Sequence, residues 1–203
     1  PTTWGAECFK KRCFNYEATV ISKLRLRGAV LIAKLAMIEL AGGMGYYQPN
    51  ASFTGPCKNP WNIEAWSGGS SSGSGSAVGA GLVPFAIGSE TWGSILSPAN
   101  NCGVTGLRPT FGRVSRFGSM PLSWSLDKIG PLALSSDDCG IVLENISGKD
   151  PNDDSSQNEI FKYSDHPSIK GKLAVITEAV KEADTDVQKN FIESISVLKT
   201  WFD

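Results

Sequence analysis

SGGSSSGSGSAVGAGLVPFAIGSETWGSILSPANNCGVTGLRPTFGRVSRFG, residues 67–118, is the stretch on which the fold turns. Twelve of the fifteen residues from Ser67 to Gly81 are Gly or Ser, a composition that alone describes a flexible linker. The continuation decides against a linker. AVGAGLVPFAIG is too apolar for a solvated tether and reads as a small-residue helix followed by a strand over Val83 to Ile87. Small residues in such a helix let two backbones approach closely. Further on, GVTGLRPTFGRVSRFG (103–118) carries Gly or Pro every few residues, which predicts short strands joined by tight turns.

On the amino-terminal side, residues 16–27 (YEATVISKLRLR) set Ala18, Val20, Ile21, Leu24 and Leu26 near helical spacing, with Asn15 as cap and Gly28 as stop. The run AVLIA (29–33) predicts a short strand buried on both faces, and Ala36 to Leu40 a second helix ending at Gly42 and Gly43. On the carboxy-terminal side, Asp137 to Ile146 predicts a helix capped by Ser135 or Ser136, and residues 149–170 a polar loop. LAVIT (173–177) then predicts a strand, followed by a helix from Asp184 onward. Strands alternating with helices, without an internal repeat, give an α/β class with layered packing.

Composition narrows the function. A chain of 203 residues with 41% hydrophobic and 19% charged residues can bury a real core. Its net charge of −1 supplies no basic field for nucleic acid, so a small molecule or a peptide-like substrate is the expected partner. No run approaches the ~18 consecutive apolar residues of a membrane span, and PTTWGAECFKKR lacks the apolar core of a signal peptide. The five cysteines, Cys8, Cys13, Cys57, Cys102 and Cys139, are odd in number and contain no C-x-x-C pair. They suggest neither a zinc site nor a full disulfide framework. Reduced, buried thiols are the expectation, which leans toward a cytoplasmic setting.

The serine cluster admits three chemistries. Gly69-Ser70-Ser71-Ser72-Gly73 satisfies G-x-S-x-G with Ser71 as nucleophile, but NIEAWSG offers no buried strand before it. The sole histidine, His166, lies in the polar SDHPS and reads as a solvated surface residue. A phosphate loop fails as well, because Val78 stands where G-x-G-x-x-G after Gly73 and Gly75 needs its third glycine. A third candidate joins the serine cluster to GSETWGSILSPANNCGVTGLRP (88–109): a chain with one poorly placed histidine that performs acyl transfer needs another base, and a lysine relayed through a second hydroxyl is one alternative.

Residues 67–118 resemble, without gaps, the signature of the amidase signature family. Flanking phrases fit too: PTTWGAECFKKR, GAVLIAKL, CKNPWN and LDKIGPLALSSDDCGIVL. The resemblance is strong over residues 1–151 and weak over 152–203. It implies an amidase-signature fold, α/β/α layers around a mixed β-sheet, with residues 1–203 as the central part of one domain whose signature core is 67–118.

The resemblance also implies site residues. Ser94 in T-W-G-S-I matches the nucleophile, and Ser70 matches the bridging serine, reached through a cis Gly69–Ser70 peptide. The backbone N–H groups of Thr91, Trp92, Gly93 and Ser94 match the oxyanion hole, while Ser71 and Ser72 support the cluster, either by orienting Ser70 or by packing the loop. The family's lysine lies in a Val-Lys-Asp phrase that would precede Pro1, so the catalytic Lys is not in this chain and both ends look cut. Lys10, Lys11 and Lys34 match structural positions. Three residues depart from the usual pattern: Trp92 stands for glycine, Glu90 for aspartate and Leu96 for arginine. Trp92 is expected to need a glycine-like backbone and to narrow the acyl pocket.

The function so implied is hydrolysis of a carboxamide C–N bond by a Ser-cisSer-Lys triad through an acyl-enzyme, with the 203 residues alone inactive. No metal or organic cofactor is implied. Two alternatives stand beside it. One is the ammonia-releasing component of a tRNA-dependent amidotransferase, acting on glutamine beside partner subunits; the other is a non-catalytic or truncated relative. Homo-oligomer formation is compatible with each.

Overall fold

The computed structural model describes residues 1–42, 52–164 and 172–202. The chain divides into two compact units, Pro1–Tyr163 and Ser164–Asp203. His166 and Gly43 lie outside the described residues.

In the first unit the elements are α1 (Thr19–Leu26), α2 (Ser72–Gly79), β1 (Phe85–Glu90), α3 (Leu96–Cys102), β2 (Thr105–Gly106), β3 (Lys128–Ala133) and α4 (Ser136–Ile146). The sheet has the order β1-β3-β2, and both pairings are antiparallel, with Phe85 opposite Ala133 and Glu90 opposite Lys128. Alternation along the strands splits the core between the two faces. Phe85, Ile87 and Ile129 pack with Val20 and Leu24 of α1 and with Val142, Leu143 and Ile146 of α4. Ala86 and Leu132 point the other way, against Val78 of α2 and against Ile95 and Ala99 beside and within α3. Helices therefore cover both faces, which is the layered α/β arrangement expected.

The small-residue helix appears as α2, and the strand after it forms two residues later than predicted. Tertiary contact reset other boundaries. Helix α1 starts at Thr19 with Ala18 in the cap position and no side-chain cap, not at Asn15. The Thr19 amide donates to Phe117 O and its hydroxyl to Asp150, so the entry is fixed by the neighbouring loop. Gly28, at φ +87°, ends α1 as expected. Helix α4 carries the predicted cap: Ser135 Oγ accepts from the Asp138 amide at 3.1 Å and donates to the Asp138 carboxylate at 2.7 Å.

Two predicted elements of this unit are absent. Residues 29–33 form no strand, and Val30, Leu31 and Ile32 are exposed, because among the described residues no strand pairs with them. In place of a helix over 36–40 there is a single 3-10 turn, Glu39–Ala41, with Leu40 and Ala41 at positive φ. Conversely, α3 and β3 carried weak sequence signals. Pro98 and two asparagines sit inside α3, and Gly130 and Pro131 inside β3, residues that ordinarily argue against helix and strand.

The second unit contains a 3-10 turn, Thr177–Val180, and α5 (Thr185–Leu198), with Asp184 at the cap position. The strand predicted over 173–177 is not formed, and Ile176 is exposed. No described helix is long and apolar enough to cross a membrane. The five cysteines are free; Cys102 and Cys139 are buried, while Cys8 and Cys13 are exposed, contrary to the expectation of uniformly buried thiols.

Candidate active site

The Gly/Ser-rich segment is interior rather than linker. Ser67, Ser70, Ser71, Ser72 and Ser74 are all buried. A Cβ on Gly73 would lie 2.5 Å from Ala36 N, and one on Gly75 2.8 Å from Pro98 O, so glycine allows the backbone to touch residue 36 on one side and α3 on the other. Backbone bonds use that proximity: Gly73 N–H donates to Ala36 O at 2.8 Å, and Ile38 N–H donates to Ser70 O at 3.1 Å.

Ser70 precedes α2 and Ser94 precedes α3, two helices that pack on each other. Their loops meet where Ser71 N–H donates to Ser94 O at 3.1 Å. The Gly69–Ser70 peptide is cis. Ser70 and Ser94 are each 4% exposed. The Ser70 hydroxyl is buried and has no hydrogen-bond partner among the described residues, and Ser72 Oγ shares that condition. The two loops are thus brought together, while the hydroxyls of Ser70 and Ser94 are not hydrogen-bonded to each other.

Ser71 has a structural task. Its hydroxyl donates to Ser89 O and accepts from Ser89 N–H, both at 3.1 Å, pinning the start of α2 to β1. Neither Ser71 nor Ser72 hydrogen-bonds to Ser70. Lys10 pairs with Glu7, and Lys34 donates to Pro1 O and Thr2, so neither reaches the serines.

Thr91 to Ser94 form the turn between β1 and α3. Trp92 corrects an expectation: the left-handed residue is Gly93, at φ +112°, and Trp92 is not among the non-glycine residues with positive φ. Its side chain is 83% exposed among the described residues. The amides of Thr91, Gly93 and Ser94 donate to no group among the described residues, leaving three donors in one tight turn.

The turn is anchored by charges that sequence reasoning did not assign to it. Glu90, 1% exposed, accepts from Ile95 N–H at 2.8 Å and Leu96 N–H at 2.9 Å, satisfying amides at the start of α3. With leucine at 96, its counter-charge is Arg108, whose Nη1 lies 3.3 Å from Glu90 Oε1. Asp127 accepts from the Thr91 hydroxyl and from the amides of Leu122 and Ser123. Lys128 Nζ donates to Thr91 O at 3.1 Å. Only the β1–β3 register brings Glu90 and Lys128 together, and no short motif carries it.

A cavity of about 670 Å³ opens between α1, residues 29–37 and β1. Its walls are mostly apolar, and Ser71, Ser74 and Ser89 line it on the side of the serine cluster.

The family model described as Amidase matches residues 1–200. The glutamyl-tRNA(Gln) amidotransferase A chain of Halalkalibacterium halodurans is 46% identical over 200 residues, covering 92% of this chain and 40% of that protein. Its counterpart in Chromohalobacter salexigens is 48% identical over 155 residues, 76% of this chain and 31% of that one. Among solved structures, the counterpart from Thermotoga maritima superposes with a TM-score of 0.90 at 35% identity, over 99% of this chain and 45% of its own. The native peptide amidase of Stenotrophomonas maltophilia gives 0.63 at 42% identity, over 69% and 29%. The chain thus spans well under half the length of these relatives. A family match over residues 1–200, 46% identity to a relative over 92% of this chain and a TM-score of 0.90 to a solved structure lead to one conclusion: the chain belongs to the amidase signature family.

Proposed function

We propose that the whole protein hydrolyses a carboxamide C–N bond through an acyl-enzyme on Ser94, within one amidase signature domain of which residues 1–203 are the central part. The Ser94 hydroxyl attacks the carbonyl carbon and passes its proton to Ser70, which passes its own to a lysine outside these 203 residues. The amides of Thr91, Trp92, Gly93 and Ser94 hold the oxyanion. Each such donor is worth about 3 kcal/mol of barrier. As the tetrahedral intermediate collapses, the C–N bond breaks and the departing amine takes the proton from the lysine. Water then cleaves the ester and restores the Ser94 hydroxyl.

The observation that carries this reading is the Ser70 hydroxyl, buried beside the Ser94 loop without a partner among the described residues. An unsatisfied buried hydroxyl costs about 1–3 kcal/mol, so its retention points to a group that completes it. Small-molecule or peptide amides are the proposed substrates. Ammonia release from small amides tests the proposal. The 203-residue chain should be inactive, and a longer chain containing a lysine upstream of Pro1 should be active. In that longer chain Ser94→Ala should lower turnover by roughly a thousandfold or more. Comparable turnover by the short chain would refute the role of the outside lysine.

A second reading is favoured by the 46% identity to a glutamyl-tRNA(Gln) amidotransferase component. Under it, the same site releases ammonia from glutamine within an assembly. Co-purifying subunits and a strong preference for glutamine over other amides would select it.

A further inference from the structure

We propose that Lys128 is a positioning residue of the oxyanion turn, its ammonium group fixing the Thr91 carbonyl from which the turn departs. The inference rests on the reading of residues 91–94 as oxyanion donors. Lys128 Nζ donates to Thr91 O at 3.1 Å, at the entry of the turn that carries the Gly93 and Ser94 amides. A charged donor holds that carbonyl more strongly than a neutral one and so sets the direction of the amides that follow. The register explains the placement. Lys128 is the first residue of β3 and Glu90, opposite it, the last of β1, so both side chains leave the same face of the sheet where β1 becomes the turn.

The turn is then held at both ends. Lys128 and Asp127 fix its entry through the carbonyl and hydroxyl of Thr91. Glu90, neutralised by Arg108, fixes its exit through the amides of Ile95 and Leu96. A lysine at a strand end ordinarily extends into water; this one stays half-buried. Partial burial, and next to it the Arg108 guanidinium, lower the pKa of Lys128 from the ordinary lysine value, with Glu90 and Asp127 opposing them. The proton therefore leaves at a lower pH than from a free lysine. The charged donor exists below that point and is lost as pH rises through it.

Steady-state hydrolysis of a primary amide by the full-length protein, by Lys128→Arg and by Lys128→Met tests this, with thermal melting of each variant as a folding control. We expect Lys128→Met to lower kcat roughly tenfold with KM nearly unchanged, short of the roughly hundredfold or greater loss of a whole donor. The alkaline fall in kcat should also disappear. Lys128→Arg should restore most of kcat and move the alkaline fall to higher pH. Wild-type kcat in a folded Lys128→Met, or an arginine variant with an unmoved alkaline limb, overturns the proposal. Should Lys128→Met fail to fold, the limb in the arginine variant still decides. A full-length wild type that hydrolyses no amide at any pH instead overturns the functional reading beneath it.

Discussion

Ser70 is 4% exposed and Val30 82%, yet Ser70 belongs to a run of Gly and Ser and Val30 to an apolar pentapeptide. The difference separates two requirements for burial. Residues 67–81 pack because their glycines allow main chain to meet main chain at residues 36 and 98, and because their hydroxyls find strand carbonyls such as Ser89 O and Ile87 O. Residues 29–33 have the side chains for a core, but among the described residues no strand pairs with their amides and carbonyls. Apolar side chains alone do not bury an extended segment whose backbone is unpaired.

The largest effect that would break this comparison comes from filling the tightest contact. Gly73→Val places new atoms where a Cβ already lies 2.5 Å from Ala36 N, and should destabilise the chain by about 3 kcal/mol or more in urea unfolding. A cost under about 1 kcal/mol would mean that the close approach is not what buries the segment. Next in size is Ser71→Ala, which removes both hydrogen bonds to Ser89 and should cost about 1–2 kcal/mol by the same measurement. The smallest effect belongs to the exposed run: Ile32→Ser in the 203-residue chain should change stability by under about 0.5 kcal/mol. A loss of several kcal/mol there would show the run to be buried in this chain after all.

How much was legible follows the same division. Interactions within a few residues could be read directly: the Ser135–Asp138 cap, the stop at Gly28, the helix in the small-residue run and its strand. The role of Ser71 was not legible, since nothing in G-S-S-S-G marks it, rather than Ser70 or Ser72, as the serine that fastens the segment to a strand. Distinguishing them takes the Ser89 backbone, eighteen residues away in sequence. Helix α3 and strand β3 stayed hidden because Pro98, Gly130 and Pro131 are tolerated by their settings rather than favoured by their types. The charges around the turn between β1 and α3 were unreadable for a related reason. Glu90, Arg108, Asp127 and Lys128 come from three separate stretches, and only the antiparallel register collects them.

The left-handed residue of the turn between β1 and α3 is Gly93, and this separates two evolutionary pressures on neighbouring codons. Position 93 must remain glycine for the chain to reverse there, whereas position 92 has no such constraint and holds the largest side chain of the genetic code, turned outward. Residue 92 can therefore be exchanged for another side chain without altering the reversal made at Gly93.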